Sequence, residues 1–385
     1  MNAWHAAWDA WLRQRAEDGL LRQRRAVTRR CGAEITVDGR ACINFAGNDY
    51  LGLADDPLTR AGAARALRDW GTGAGASRLI SGDSALVREL EDELAAWKGC
   101  EAALVFPAGY MANLGALSAL AARGDTVIID RLAHASLVDG ARLSGARLQV
   151  FPHNDVERLR ALLQRPRQGR TLVVTESVFS MDGDRAPLAA LAQCCQEHQA
   201  ALLVDEAHAL GVYGDGRGCV AEAGLARAVD VTVGTLSKAL GSQGGFVAGS
   251  RVLVDYLVNT ARAFVYTTGI APAAAGAALA AVRLLRGDLS RIQRLWYNTR
   301  SLRLMLAEQR LAGEGPICPL MVGASAAAVT LAERLFAAGF WAPAIRPPTV
   351  PAGTARLRLT VSAVHTDAQI AALADAVRAA GAEQR

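Results

Sequence analysis

Long apolar runs are what this sequence most plainly lacks. Every hydrophobic stretch is broken by charge or glycine before reaching the roughly 18 residues a bilayer-spanning helix requires, so no membrane segment is expected. The first 25 residues carry Asp9, Glu17 and Asp18 and have no continuous apolar core, which argues against a secretory signal and for a cytoplasmic protein. Cysteine is present but unpatterned: Cys31, Cys42, Cys100, Cys194, Cys195, Cys219 and Cys318 are odd in number and form no CxxC pair. They read as reduced thiols. The six histidines show neither HExxH nor paired ligand spacing, so no metal is predicted. Basic residues are not interleaved with aromatics and no recognised module appears, which leaves no nucleic-acid footprint.

What is there is a chain of 385 residues, 51% of them apolar, long enough to bury a large core in two or three lobes. Residues 3–25 have tryptophans and leucines at helical spacing (Trp4, Trp8, Trp11, Leu12, Leu20, Leu21), predicting an amphipathic helix. The segment EITVDGRACINF alternates around Asp38-Gly39, a hairpin signal. From residue 84 strands and helices alternate, which predicts a mainly parallel sheet covered on both faces. A last lobe reads ICPLMV strand, helix 325–338, FWAPAI strand, ARLRLTV strand and helix 366–380. The expected organisation is an N-terminal helix and hairpin (1–47), a large α/β domain (48–287) and a smaller C-terminal α/β domain (288–385).

The strands of the large domain deliver polar residues at or just past their ends: His134, Ser180, Asp205, His208, Thr235 and Lys238. Open α/β sheets place their ligands there. Lys238 follows the apolar run VDVTVGT, and a partly buried lysine at such a position has the lowered pKa of a Schiff-base nucleophile. Asp205-Glu-Ala-His208 also matches a helicase nucleotide motif. That reading needs a P-loop lysine and hydroxyl, which the chain lacks; GTGAGASRLISGDS (71–84) has no GxxxxGK[ST] core and follows a helix. A ring cofactor accounts for the residues better: an aldehyde on Lys238, a pyridine nitrogen on Asp205, His134 beside the ring, and the helix start at Gly109 with Thr235 for a phosphate. That is pyridoxal phosphate chemistry.

The spacing from Asp205-Glu-Ala-His208 to Thr235-Leu-Ser-Lys238 resembles fold-type I enzymes dependent on pyridoxal 5'-phosphate, specifically the α-oxoamine synthases. GTGAGASRLISG, DRLAHASL, SVFSMDGD and RLRLT match the same family, so the resemblance covers nearly the whole chain. It implies an aspartate aminotransferase-like fold, with Lys238 as cofactor lysine and base, Asp205 on the pyridine nitrogen, His208 on the ring hydroxyl and His134 stacked on the ring. Gly109, Tyr110, Ser180 and Thr235 would line the cofactor. Arg358 would hold an amino-acid carboxylate, and Arg22, Asn48 and Thr349 would lie along the substrate path. Arg24 or Arg25 could take the place of Arg22. The segment IRPPTVPAGTARLRLT (345–360) most resembles the member that condenses L-alanine with a pimeloyl thioester, carried on acyl carrier protein or coenzyme A. A glycine C-acetyltransferase is the alternative. Family members are homodimers, and Thr267 and Thr268 would reach the neighbour's phosphate.

Overall fold

A computed structural model describes residues 2–309 and 311–382. The chain folds as two compact units, one of Asn48–Ser180 and Asp184–Trp296, the other of Met1–Gly47, Met181–Gly183 and Tyr297–Arg385.

The larger unit is built on a seven-stranded sheet in the order Ala102–Phe106, Gly245–Gly249, Val231–Thr235, Ala201–Asp205, Thr171–Glu176, Thr126–Asp130, Arg147–Phe151. All pairings are parallel except those of Gly245–Gly249, which runs antiparallel to both neighbours. Central strands buried on both faces need apolar residues at consecutive positions, and Val127, Ile128 and Ile129, like Leu202, Leu203 and Val204, are all buried. One face packs Leu104, Phe106, Ile129, Val174 and Val233 against the helices Gly109–Leu120, Ala135–Leu143 and Arg251–Thr260. Elsewhere the helices Pro57–Trp70 and Pro272–Gly287 cross at two glycines. A Cβ at Gly62 would lie 2.5 Å from the Gly276 carbonyl oxygen, and one at Gly276 would lie 2.5 Å from that of Gly62. Only glycine admits so close an approach of the backbones.

The second unit holds a three-stranded antiparallel sheet, Ile317–Gly323, Ala355–Thr360 and Ala344–Ile345, packed through Leu357, Leu359, Leu335 and Leu373 with the helices Ser325–Ala337 and Asp367–Ala382. The N-terminal segment is part of this unit: Phe340–Trp341 pairs in parallel with Arg40–Asn44. The hairpin forms where the Asp38-Gly39 pair places it, both residues having positive φ (48° and 81°). Two expectations are corrected. The tryptophan helix spans Ala3–Glu17, not 3–25, because Asp18 caps it and Gly19 turns left-handed at φ 64°. FWAPAI is not one strand: Phe340–Trp341 and Ala344–Ile345 join different sheets, with Pro343, which has no N–H to donate, between them. All seven cysteines are free.

Candidate active site

Six strands of the larger unit run in the same direction and end at one edge of its sheet, and the polar groups collect there. Lys238 lies in the turn after Val231–Thr235, with Nζ 2.8 Å from His208 Nε2. The other ring nitrogen of His208, Nδ1, is 2.6 Å from the hydroxyl of Tyr50, which is wholly buried. A neutral imidazole has one ring proton, so the two contacts are linked. When Nε2–H donates to an uncharged Lys238 amine, Tyr50 donates to Nδ1; when a Lys238 ammonium donates to Nε2, Tyr50 accepts from Nδ1–H. The proton on Lys238 is thereby coupled to a buried phenol. Asn48 adjoins this chain, its Oδ1 3.5 Å from the Tyr50 hydroxyl.

Asp205 ends the strand Ala201–Asp205 and is buried. Its Oδ1 accepts from the Ala207 N–H at 2.8 Å and its Oδ2 from Asn113 Nδ2 at 2.7 Å. Each carboxylate oxygen has two lone pairs, so each keeps an acceptor position for a further donor. Asn113 uses its second N–H on Ser136 Oγ at 2.9 Å, and Ser136 Oγ is 2.7 Å from His134 Nδ1. A continuous polar chain thus joins Asp205 to His134. The His134 backbone N–H donates to Glu176 Oε1 at 2.6 Å, and Glu176 is the register partner of Asp205 on the adjacent strand. Burial first, and then the Asp205 charge, push the Glu176 carboxyl well above the usual range, with Lys238 opposing. Burial likewise lowers the His134 imidazole below its ordinary value against the pull of Asp205, which favours a neutral ring.

Gly109 opens the helix Gly109–Leu120 directly after a strand, and Ala108 at its N-cap supplies no side-chain hydrogen bond. The backbone there runs close to Thr235: a Cβ on Gly109 would lie 3.1 Å from Thr235 Oγ1, and one on Gly245 would lie 2.5 Å from the Gly109 Cα. Thr235 Oγ1 donates to the Gly244 carbonyl at 3.0 Å and lies 2.7 Å from Ser237 Oγ. Tyr110 meets His134 edge-on with ring centroids 6.2 Å apart, and its hydroxyl bonds Asp139. Ser180 is part-buried in the loop after Thr171–Glu176.

The chain belongs to the aminotransferase class I and II family. That family matches residues 40–377. An 8-amino-7-oxononanoate synthase from Methylococcus capsulatus is 51% identical over 365 residues, covering 92% of this chain and 94% of the relative. A serine palmitoyltransferase from S. paucimobilis, solved with bound pyridoxal phosphate, superposes with a TM-score of 0.93 at 32% identity over 98% of this chain and 97% of its own. An 8-amino-7-oxononanoate synthase from Francisella tularensis superposes with a TM-score of 0.77 at 26% identity, covering 89% of this chain and 99% of its own. The fold is that of the fold-type I transferases, and the cofactor is pyridoxal 5'-phosphate.

The residues at the strand ends fit that cofactor. An amine, an aspartate with free acceptor positions, a neutral imidazole and a helix start whose N–H groups have no side-chain cap are the donor and acceptor types its aldehyde, pyridine nitrogen, ring face and phosphate require. The buried Oδ1 of Asn113 has no partner among the described residues. A cavity of about 950 Å³ lies at the opposite, amino-terminal edge of the sheet, lined by Asp125, Thr171, Ala201 and Val231, and contains none of these groups.

Arg22, Thr349 and Arg358 belong to the second unit. Arg22 Nη2 donates to Thr349 Oγ1 at 3.1 Å, the two lining a groove of about 580 Å³ with Leu21, Phe336 and Ile345. Arg25 reaches Glu333 at 2.5 Å, so it does not duplicate the Arg22 contact. Arg358 is buried on the strand Ala355–Thr360 and donates to Thr360 Oγ1 at 3.0 Å. Sequence reasoning did not assign Tyr50, Asn113, Ser136 and Glu176 to the site. Asn113 left one signal, a single amide in the otherwise apolar run GYMANLGALSAL one turn after Gly109.

Proposed function

We propose that this chain condenses L-alanine with a pimeloyl thioester to give 8-amino-7-oxononanoate, carbon dioxide and the free thiol, the acyl-transfer step of biotin biosynthesis. When bound, pyridoxal phosphate supplies an aldehyde that captures an amine and a protonated ring that withdraws electrons from the α-carbon. The observation that carries the reading is the 2.8 Å contact of Lys238 Nζ with His208 Nε2, in the turns that follow two adjacent parallel strands, one of which ends in Asp205.

Lys238 Nζ would be the amine that holds the aldehyde and the base that takes the α-proton of alanine. His208 and Tyr50 hold that nitrogen in place and can accept or return charge through the imidazole. Asp205 keeps a proton on the pyridine nitrogen, and Asn113 fixes the carboxylate that does so. His134, its backbone tied to Glu176 and its ring to Ser136, covers one face of the ring. Gly109, Tyr110, Ser180 and Thr235 line the cofactor, with Gly109 and Thr235 toward the phosphate. Arg358 is assigned the alanine carboxylate, where a bidentate grip selects which α-bond is weakened. Arg22, Asn48 and Thr349 are assigned the acyl donor, on coenzyme A or acyl carrier protein. The protein would work as a cytoplasmic homodimer, with Thr267 and Thr268 serving the neighbouring site.

The 51% identity to a named 8-amino-7-oxononanoate synthase favours alanine and pimeloyl as substrates. The TM-score of 0.93 to a serine palmitoyltransferase keeps a second α-oxoamine synthase reading in play. Steady-state assays with alanine and pimeloyl-CoA, serine and palmitoyl-CoA, and glycine and acetyl-CoA separate them. The alanine–pimeloyl pair is expected to give the highest kcat/KM, and preference for either other pair would overturn the substrate assignment.

A further inference from the structure

We propose that His153 is a positioning residue: a cationic clasp that fixes the turn carrying His134 to the loop carrying Ser180. The inference rests on the reading of those two residues as cofactor-facing. His153 follows the strand Arg147–Phe151, outside the set of residues assigned to the cofactor. Its ring stands between two carboxylates, with Nδ1 3.0 Å from Asp130 Oδ1 and Nε2 2.7 Å from Asp184 Oδ2. A carboxylate offers only acceptors, so an imidazole bonding one at each nitrogen carries both protons. Burial acts against that charge, but the hydrogen bonds the ring donates to Asp130 and Asp184 outweigh it and raise the pKa to about 10.

Each carboxylate controls one segment of the site. Asp130 ends the strand Thr126–Asp130, its side chain fully buried, and its Oδ1 also accepts from the Leu132 N–H at 2.8 Å, shaping the turn that leads into His134. Asp184 closes the Ser180 loop, its carbonyl accepting from the Phe179 N–H at 3.0 Å. The His153 ring meets buried Phe179, the residue before Ser180, edge-on at 4.3 Å and 90°. Asn154 adds a parallel tie, its N–H donating to Asp130 Oδ2 at 2.9 Å and its Nδ2 to Asp184 Oδ2 at 3.0 Å. One cation thus couples two loops that come from different strands, and displacement of a positioned group by about an ångström is enough to cost on the order of a hundredfold in rate.

The test uses the full-length holoenzyme and three variants, His153→Gln, Asp184→Asn and the double variant. Cofactor affinity is measured by titrating stripped protein with pyridoxal phosphate, alongside kcat, the alanine KM and the melting temperature. Each single variant is expected to weaken cofactor binding and lower kcat by roughly tenfold, with the alanine KM nearly unchanged. The double variant should lose clearly less than the product of the two single losses, since both changes break the shared His153–Asp184 contact. Cofactor affinity and kcat unchanged in both singles would overturn the proposal, as would losses that multiply in the double variant. Should His153→Gln fail to fold, Asp184→Asn decides; loss of folded protein in both would assign the pair to stability alone and also overturn it. His134→Ala separates this from failure of the underlying reading: if that variant binds cofactor normally, the site assignment is wrong, whereas impairment there with a silent His153→Gln refutes only the clasp.

Discussion

Tyr50 bears on the proposed chemistry only through His208, which it holds against Lys238. Its hydroxyl is 2.6 Å from His208 Nδ1, in a fully buried position where water cannot take over the contact. Tyr50→Phe keeps the ring's packing and removes only the hydrogen bond, at a net cost of about 1 kcal/mol. If that cost falls on the proton step at Lys238, kcat drops roughly fivefold while the alanine KM is held, because about 1.4 kcal/mol would be a factor of ten. Pre-steady-state measurement of α-proton exchange in deuterated alanine checks this, and an unchanged exchange rate would remove Tyr50 from the relay. At this scale the sequence was legible where function needs an unusual residue in an apolar setting. Lys238, Asp205 and His208 stand out beside valine-rich strands. Tyr50 and Asn113 do not, because a buried tyrosine or a lone amide in a helix is as common in a core as in a site, and only the fold shows that their polar atoms point at His208 and Asp205.

At the scale of elements, strands declared themselves and boundaries set by single backbone positions did not. The five-residue strand Thr126–Asp130 is read directly from its apolar run, since burial on both faces leaves no alternation to interpret. The end of the first helix was missed because Leu20 and Leu21 continue the helical spacing, and spacing carries no information about the left-handed turn at Gly19. The crossing at Gly62 and Gly276 was equally hidden, since closeness of two helices separated by two hundred residues is a tertiary fact. It gives a prediction of its own. Gly62→Ala would force its Cβ against the Gly276 carbonyl oxygen, where backbone cannot rotate away. Overpacking of this kind costs about 1–3 kcal/mol, and the gain in helix propensity, about 1 kcal/mol, offsets only part of it. Urea denaturation of the variant is expected to show a lower midpoint with an unchanged slope; a midpoint equal to or above that of the parent would contradict the close crossing.

For the whole molecule, the residues proposed for the site fall in two compact units, where sequence alone presented three segments. The larger carries the residues proposed to hold the cofactor, on a sheet whose single antiparallel strand, Gly245–Gly249, brings its backbone against Gly109. The smaller packs Phe45 with residues 302–380 in one core and holds Arg22, Thr349 and Arg358. Among the described residues no helix is long and apolar enough to cross a membrane, and no group of three or more possible ligands is arranged for a metal ion. The proposed chemistry rests on pyridoxal 5'-phosphate, with Lys238 as the residue proposed to hold it. Its most direct test is the visible absorption spectrum of the purified protein and of Lys238→Ala, each loaded with pyridoxal phosphate and then given alanine and pimeloyl-CoA. The account predicts that the parent shows the visible band of a lysine-linked cofactor and forms product, while Lys238→Ala lacks that band and loses at least about a hundredfold in turnover. Turnover by Lys238→Ala close to that of the parent would contradict it.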